Sequence, residues 1–219
     1  MPELLAVYLG RLRELPPEGQ LTGMFKTASR DRLWIGTEGL QGDVQADRRF
    51  HGGPEKAVHQ MSLATYWRIA TRFSLLQEAA QPGSLGENLS ITEMDDTEVC
   101  IGDRVRVGGA LLEVSQPRRP CWKINHRFDE PALSRYLQDQ GCPGWYYRVL
   151  EPGHVQAGDT VAIEARPHPE YSLAALWQLY NDLNPSLTTL ADWIALDALN
   201  SDWRLKFRQR LEWLEKNRP

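Results

Sequence analysis

One cysteine of this chain, Cys121, lies in a sequence environment that favours chemistry. It follows an apolar run that is typical of a strand, and two prolines within residues 116–123 predict that the strand gives way to a stiff loop. Arg118, Arg119 and Lys123 flank the thiol, and nearby cations stabilise a thiolate over a thiol. We predict that Cys121 is a metal ligand or a nucleophile. The alternative is a small buried hydrophobic residue, because free cysteine is among the most buried residue types.

A glycine-rich segment, residues 39–56, is the second place that favours a ligand. Gly52 and Gly53 allow positive φ and close approach to bare backbone, and consecutive N–H groups in such a turn can bind an anion. His51 and Lys56 add donors and positive charge, and Lys26 can converge from a preceding strand. We predict an anion site here. The alternative is a glycine-rich connection with solvated charges.

Three further polar residues are candidate ligand-binding groups. Asp43 can accept hydrogen bonds from a heterocycle or brace a loop through turn bonds. Asn88, in the sequence Gly86-Glu87-Asn88, can bond a ligand or belong to an ordinary turn. Arg148 lies in an otherwise apolar strand, where a charge is costly unless it is paired or faces a polar pocket. We therefore predict Arg148 as an anion ligand.

The composition argues against several classes of protein. The chain has 219 residues and a net charge of −4, whereas a general nucleic-acid binder is usually basic. No run of about 18 apolar residues could span a membrane, and residues 1–10 lack the basic start of a signal peptide. The three cysteines show no C-x-x-C spacing, and reduced thiols fit a cytosolic protein. We expect a cytoplasmic protein in which Cys100 is inert and Cys142 is a weaker candidate for chemistry than Cys121.

Hydrophobic periodicity predicts a β-rich domain with two helices, at residues 62–78 and 129–139. Many short strands joined by glycine turns indicate a mixed β-barrel with helical insertions. The predicted strands are residues 4–9, 21–27, 32–35, 57–61, 87–91, 104–107, 110–115, 145–150 and 160–164.

The pattern changes after residue 166, where two prolines in residues 166–170 form a stiff linker. Apolar residues then recur at helical spacing in three segments, residues 172–183, 188–199 and 202–216. Ser172 and Ser201 are predicted N-caps. The prediction is a mainly β fold with helices, divided into a β-barrel domain at residues 1–166 and a small three-helix bundle at residues 170–219.

Six motifs in chain order resemble the MOSC-domain family, named for the C-terminal domain of molybdenum-cofactor sulfurases. They are Gly39-Leu40-Gln41-Gly42-Asp43-Val44-Gln45-Ala46-Asp47, His51-Gly52-Gly53-Pro54-Glu55-Lys56-Ala57-Val58, Gly86-Glu87-Asn88-Leu89, Cys100-Ile101-Gly102-Asp103, residues 116–123, and Gly144-Trp145-Tyr146-Tyr147-Arg148-Val149-Leu150. The chain looks closest to a stand-alone bacterial branch that also carries three C-terminal helices. The resemblance covers nearly the whole chain.

The resemblance implies a mixed β-barrel that holds a molybdenum cofactor, a pterin bearing a dithiolene and a phosphate. It implies that Cys121 is the protein ligand to molybdenum, which agrees with the preference of soft metal–sulfur centres for thiolate. The residues then expected around the pterin and its phosphate are Lys26, His51, Gly52, Gly53, Lys56, Arg118 and Arg148, with Asp43 and Asn88 as secondary candidates. The implied activity is reduction of N-hydroxylated compounds, including base analogues of the 6-hydroxylaminopurine type.

The electrons for such a reduction are expected from outside the chain. Three unclustered cysteines cannot hold a ferredoxin-type cluster, and no Gly-x-Gly-x-x-Gly run is present for a dinucleotide. The implied partner is a separate flavin or iron–sulfur reductase, which the C-terminal helices could dock. A homodimer is left open.

Two other functions compete with the reductase. Cys121 could carry a persulfide in a sulfurtransferase, although no pyridoxal-phosphate desulfurase domain fits in 219 residues. Alternatively, the protein could bind and hand on the cofactor without turnover.

Overall fold

The chain forms thirteen strands and six α-helices in a computed structural model that describes residues 2–17 and 19–217. The strands are β1 (Leu4–Gly10), β2 (Arg13–Leu15), β3 (Gln20–Thr22), β4 (Lys26–Ser29), β5 (Leu33–Gly36), β6 (Gly39–Leu40), β7 (Val58–Ser62), β8 (Leu89–Ile91), β9 (Arg104–Val107), β10 (Ala110–Pro117), β11 (Trp145–Glu151), β12 (Gly153–Val155) and β13 (Val161–Ala165). The main sheet has eight strands in the order β13-β9-β10-β11-β7-β8-β1-β4. Smaller sheets contain β12-β5-β6 and β2-β3.

The strand β10 organises the main sheet, because it pairs antiparallel with β9 on one side and β11 on the other. All of its residues are buried, as expected for a central strand covered on both faces. It ends at Pro117, where the missing backbone donor stops the ladder. The cationic segment that follows therefore begins at the end of a rigid strand.

The main sheet bends so that two distant strands of its order meet. Glu3, just before β1, forms an antiparallel bridge with Thr160, just before β13. Backbone hydrogen bonds from Leu4 N to Asp159 O and from Val161 N to Pro2 O flank this bridge. The predicted fold class, a mainly β fold with helical insertions and three C-terminal helices, is confirmed by this mixed architecture.

Three helices lie within the β-rich part and three follow it. They are α1 (Leu63–Arg72), α2 (Lys123–Phe128), α3 (Leu133–Asp139), α4 (Leu173–Asn181), α5 (Leu187–Ala195) and α6 (Ser201–Asn217). The Ser172 side chain accepts a hydrogen bond from Ala175 N, which confirms the predicted N-cap of α4. The predicted cap of the last helix was wrong. Asn200 Oδ1, and not Ser201, accepts the hydrogen bond from Asp202 N at 2.8 Å.

Three other local predictions differ from the structure. The single strand expected at residues 21–27 is split into β3 and β4, because Thr22 Oγ1 accepts a hydrogen bond from Met24 N and turns the chain. The helix expected at residues 62–78 ends at Arg72, since Phe73 leaves helical geometry with φ −128° and ψ 79°. Helix α2 was not predicted, because the prolines before it indicated only a loop.

A continuous hydrophobic core joins the sheet to the C-terminal helices. Leu112 and Tyr147 of the sheet belong to the same cluster as Trp177 of α4 and Trp203 of α6. A second cluster lies around α1, α2 and α3. The sheet ends with β13 at Ala165 and α4 begins at Leu173, but the proposed division into two domains stays a prediction.

The outer limits of the two predicted domains, residues 1 and 219, lie outside the described residues. Among the helices within residues 2–17 and 19–217, none combines the length and the hydrophobicity needed to cross a membrane.

Candidate functional site

A cavity of about 520 Å³ lies between the two informative sequence segments. Its walls come from the β3–β4 connection, from residues 43–52 after β6, and from the segment between β10 and α2. Cys121, His51 and Gly52 all line it. Next to the lining residue Lys56, the carbonyl oxygen of Glu55 accepts a hydrogen bond from Ser115 Oγ at 2.7 Å, across 60 positions of the chain.

Cys121 lies at a fixed position on the edge of this cavity. Arg118 N donates to Gly144 O at 2.9 Å, and Ile124 N donates to Cys121 O at 3.0 Å, so the backbone is held on both sides of the thiol. The cysteine is partly exposed, whereas Cys100 and Cys142 are buried. Burial raises the pKa of Cys142 to about 12 and also raises the pKa of Cys100. Among the three thiols, Cys121 is the one that can meet a ligand.

The polar floor of the cavity is built on Asp43. Its Oδ2 atom accepts hydrogen bonds from Lys26 Nζ at 2.8 Å, Asn88 Nδ2 at 2.9 Å and Gln45 Nε2 at 3.2 Å. Its Oδ1 atom accepts from Gly10 N at 2.6 Å. Burial lowers the pKa of Lys26, and the attraction of Asp43 opposes that shift. The structure thus brings Lys26, Asp43 and Asn88 together, with the charge of Lys26 balanced within the protein.

The other cations of the cavity have weaker partners. Arg118 is 6% exposed, and its guanidinium contacts the Met61 sulfur at 3.9 Å. Lys56 and Lys123 donate to the backbone carbonyl oxygens of Phe50 and Leu21, at 3.2 and 2.8 Å. Carbonyl and sulfur acceptors leave a positive charge uncompensated, so the cavity is suited to an anion.

The pKa of the His51 imidazole is lowered in this environment. Burial, followed by the positive charges of Arg118, Lys56 and Lys123, lowers the pKa of His51 to about 4. The side chain is therefore neutral at pH 7 and can donate or accept a hydrogen bond without adding to the charge.

The two glycines after His51 differ in their relation to the cavity. Gly52 and Gly53 have φ of 80° and 81°, in the left-handed region that favours glycine. Gly52 lines the cavity, and a Cβ atom there would lie 2.9 Å from Gln45 Oε1. Gly53 is not among the lining residues and is the N-cap of the short 3-10 helix Pro54–Lys56, so its part in binding stays a prediction.

Arg148 is not among the residues that line the cavity, and its role as an anion ligand stays a prediction. Its guanidinium pairs with Glu55 Oε2 at 2.6 Å and Glu113 Oε1 at 2.7 Å, and it also donates to Ala198 O at 3.0 Å. The cost of placing a charge in an apolar strand is offset by these acceptors. Arg148 therefore ties the sheet to the turn before α6.

The residues that line the cavity and were not predicted from the sequence include four with aromatic rings. His59 and Tyr146 line its inner wall with ring centroids 5.0 Å apart, and Phe50 and Trp122 line its edge. Burial, followed by the charges of Arg118 and Lys26, lowers the pKa of His59 well below its usual range. The sequence signal that could have identified Phe50 and Trp122 is their position directly beside His51 and Cys121.

Within residues 2–17 and 19–217, no group of three or more His, Cys, Asp or Glu side chains is placed to hold a metal ion.

The family model for the MOSC domain matches residues 47–162, more than half of the chain. This chain belongs to the MOSC-domain family. The matched region contains His51, the motif around Asn88 and the segment that carries Cys121. The resemblance inferred from the six motifs is thus confirmed.

Several MOSC relatives are similar over most of the chain. YiiM of Escherichia coli is 36% identical over 160 residues, which cover 73% of this chain and 71% of that protein. A protein of Gibberella moniliformis described as a reductase is 38% identical over 194 residues, or 86% of this chain. The chain spans only 34% of that reductase. The crystal structure of Escherichia coli YiiM superposes with a TM-score of 0.81 at 25% identity, covering 97% of this chain and 94% of that one.

Proposed function

We propose that the protein is a molybdenum-cofactor-dependent reductase of N-hydroxylated compounds. The observation that carries the proposal is the position of Cys121, a partly exposed thiol on the edge of a cationic cavity. A relative described as a reductase supports a reductive activity. Because this chain spans 34% of that relative, the substrate and the electron donor are part of the proposal.

The residues around the cavity fit the cofactor chemically. The thiolate of Cys121 is a soft ligand suited to a molybdenum–sulfur centre. Arg118, Lys56 and Lys123 supply positive charge, and none of the acceptors described above for them is a carboxylate. This charge suits the phosphate of the pterin. Gly52 gives close access to backbone, and the Asp43 network fixes the floor beneath. Arg148 lies outside this lining, where its guanidinium is paired with Glu55 and Glu113.

The proposed reaction breaks an N–O bond. The substrate R–NHOH takes up two electrons and two protons and leaves as R–NH₂ and water. When bound, the molybdenum centre supplies the electron pair. Tyr146 lines the cavity and holds its proton on Oη at neutral pH, because burial raises its pKa. This phenol can therefore donate a hydrogen bond to the oxygen that leaves.

The electrons come from a separate flavin or iron–sulfur protein in this proposal. The chain's three cysteines are too few for a ferredoxin-type cluster. A cytoplasmic location belongs to the same proposal.

The decisive experiment compares Cys121→Ser with Cys142→Ser, both purified from a host that makes the cofactor. We expect wild type and Cys142→Ser to contain stoichiometric molybdenum and to reduce 6-hydroxylaminopurine with an artificial one-electron donor. The rate of reduction should fall by about 100-fold or more in Cys121→Ser, as is typical when an essential group is removed. Full activity in Cys121→Ser would overturn the ligand assignment.

The same samples separate the two competing functions. A labile persulfide on Cys121 without metal would favour a sulfurtransferase. Molybdenum and pterin without turnover would favour a cofactor carrier.

A further inference from the structure

A buried carboxyl, that of Asp96, lies outside the cavity lining and has no part in the reaction described so far. Asp96 is 0% exposed, in the connection between β8 and β9. Its Oδ1 atom accepts a hydrogen bond from Gly144 N at 2.8 Å, whereas Oδ2 has no hydrogen-bond partner among the described residues. Burial of a half-paired carboxyl costs free energy, so a contribution to stability does not explain this residue.

The turn that carries Asp96 is held in place by the neighbouring Asp95. Asp95 Oδ2 accepts hydrogen bonds from Arg68 Nη1 of α1 at 3.0 Å and from Ser62 Oγ at the end of β7 at 2.9 Å. Thr97 N also donates to Asp95 Oδ1 at 3.0 Å. The turn is therefore fixed against the sheet and α1, and the Asp96 carboxyl is an acceptor at a fixed position.

Gly144 connects this acceptor to the cavity. Its N–H donates to Asp96, and its carbonyl oxygen accepts a hydrogen bond from Arg118 N at 2.9 Å. Gly144 has a φ of 82°, and a Cβ atom there would collide with the Gln60 carbonyl oxygen and lie 3.2 Å from Nε2 of the lining residue His59. Glycine is required here, and because glycine has the greatest backbone freedom, its orientation depends on these two hydrogen bonds.

The hydrogen bond between Arg118 and Gly144 lies at the start of the segment that carries the partly exposed thiol. Strand β10 ends at Pro117, and residues 118–121 form neither helix nor strand. Arg118 and Cys121 both line the cavity. A rotation of Gly144 would release Arg118 N, so it would shift both side chains relative to the cavity.

We propose that Asp96 is a positioning residue for the cavity, which holds Gly144 and thereby fixes the positions of Arg118 and Cys121. Its side chain acts through the backbone and touches neither cofactor nor substrate. Without the acceptor, the thiol and the guanidinium no longer meet a bound cofactor in one fixed geometry. The consequence for turnover rests on the proposed function, whereas the effect on residues 118–121 does not.

Hydrogen exchange, measured by NMR on the full chain as purified, tests the structural step. The measured quantity is the exchange rate of Arg118 N–H divided by that of Val114 N–H in the middle of β10. Global destabilisation raises both rates, whereas local release of residues 118–121 raises their ratio. In Asp96→Ala, which removes the acceptor, we expect the ratio to rise about tenfold. Asp96→Asn keeps the Oδ1 acceptor and should leave the ratio unchanged.

The control for a general loss of stability is Leu190→Ala. Leu190 is buried in α5, outside the segments that hold Gly144, and its truncation should destabilise the protein without changing the exchange ratio. If Asp96→Ala does not fold, Asp96→Val takes its place, because valine has nearly the shape of aspartate and also lacks an acceptor.

Turnover of the cofactor-loaded protein tests the functional step. With 6-hydroxylaminopurine and an artificial electron donor, kcat of Asp96→Ala should fall about ten- to 100-fold. KM should change by less than about twofold, because the cavity stays open to the substrate. Asp96→Asn and Leu190→Ala should keep the wild-type kcat. Rescue by asparagine separates loss of the acceptor from loss of the ionisable group.

Each contrary outcome has a distinct meaning. An unchanged exchange ratio in Asp96→Ala would overturn the proposal, and so would an equal rise in Asp96→Asn. A raised ratio with an unchanged kcat would overturn the link between Gly144 and turnover. If the ratio rises only in Asp96→Ala and wild type reduces no substrate, the proposed reductase fails while the positioning of Cys121 by Asp96 stands.

Discussion

Lys26 Nζ lies 2.8 Å from Asp43 Oδ2, and both side chains are almost completely buried beneath the cavity. Removing one member of a buried pair leaves the other charge uncompensated. We therefore expect Asp43→Asn to lower the free energy of unfolding by about 3 kcal/mol. Urea titration measures this change. The matched control is Glu38→Gln, which breaks the exposed Arg48–Glu38 pair and should change stability by less than about 0.5 kcal/mol.

A double variant identifies the origin of that loss. Lys26→Met combined with Asp43→Asn removes both charges, so it should recover part of the stability lost in Asp43→Asn alone. If the double variant is the less stable of the two, the uncompensated charge of Lys26 is not the origin of the loss in Asp43→Asn.

Arg118→Met should raise the pKa of His51 from about 4 towards its ordinary value of 6.5, because Arg118 is the strongest of the nearby charges that lower it. Between these two pH values the unfolded chain binds more protons at this residue than the folded protein does. Stability therefore falls as the pH drops through this window, and Arg118→Met should flatten the dependence. NMR titration of the His51 ring measures the pKa. An unchanged pKa of His51 in Arg118→Met would contradict the effect of Arg118 on this imidazole. The control is Arg135→Gln, which removes an exposed ion pair with Asp139.

Arg148→Met distinguishes a structural role of Arg148 from its predicted role in binding the cofactor. Glu113 is buried and would lose its 2.7 Å contact with Arg148, and Glu55 would lose its own partner. We expect the free energy of unfolding to fall by about 2–4 kcal/mol. Pterin and molybdenum content of the folded fraction should stay at the wild-type level, whereas Arg118→Met should reduce it. A cofactor loss in Arg148→Met without any loss of stability would favour the predicted role in binding.

Asp96 should make stability decrease with rising pH. Burial raises its pKa to about 7, against 3.8 ordinarily. Its Oδ1 atom accepts from Gly144 N at 2.8 Å, while Oδ2 has no hydrogen-bond partner among the described residues. From about pH 4 to pH 7 the folded protein holds a proton that the unfolded chain has released, so stability falls across this window and then levels off.

Asp96→Asn keeps the Oδ1 acceptor and cannot ionise. We expect it to exceed wild type in stability by about 1–4 kcal/mol at pH 8, with the difference vanishing near pH 4. Urea unfolding at both pH values measures this. The neighbouring Asp95 should change the pH dependence of stability in the opposite direction. Burial alone would raise the pKa of Asp95, but hydrogen bonds from Arg68, Thr97 and Ser62 lower it to about 2. Asp95→Asn should therefore cost stability at pH 8.

Local patterns predicted most of the elements that carry the site. Strand β10 and the cationic segment after it could be predicted, because a proline ends the hydrogen-bond ladder of a strand. The N-cap of α4 at Ser172 could also be predicted, because capping depends on residues next to the start of the helix. The helix after Cys121 was missed, since a six-residue helix held by tertiary contacts has too little periodicity to detect.

The sequence by itself determined which chemical groups are available: a thiol among cations at Cys121, and two glycines beside His51 that can adopt positive φ. The tertiary structure decided which charges remain available to a ligand. Lys26 and Asp43 neutralise each other across 17 positions, and Arg148 is bound to Glu55 across 93, whereas Arg118 meets only a sulfur among the contacts described. Side-chain pairing over such separations depends on how strands pack around a common core. No local pattern of residues contains that information, so the composition of the cavity became visible only in three dimensions.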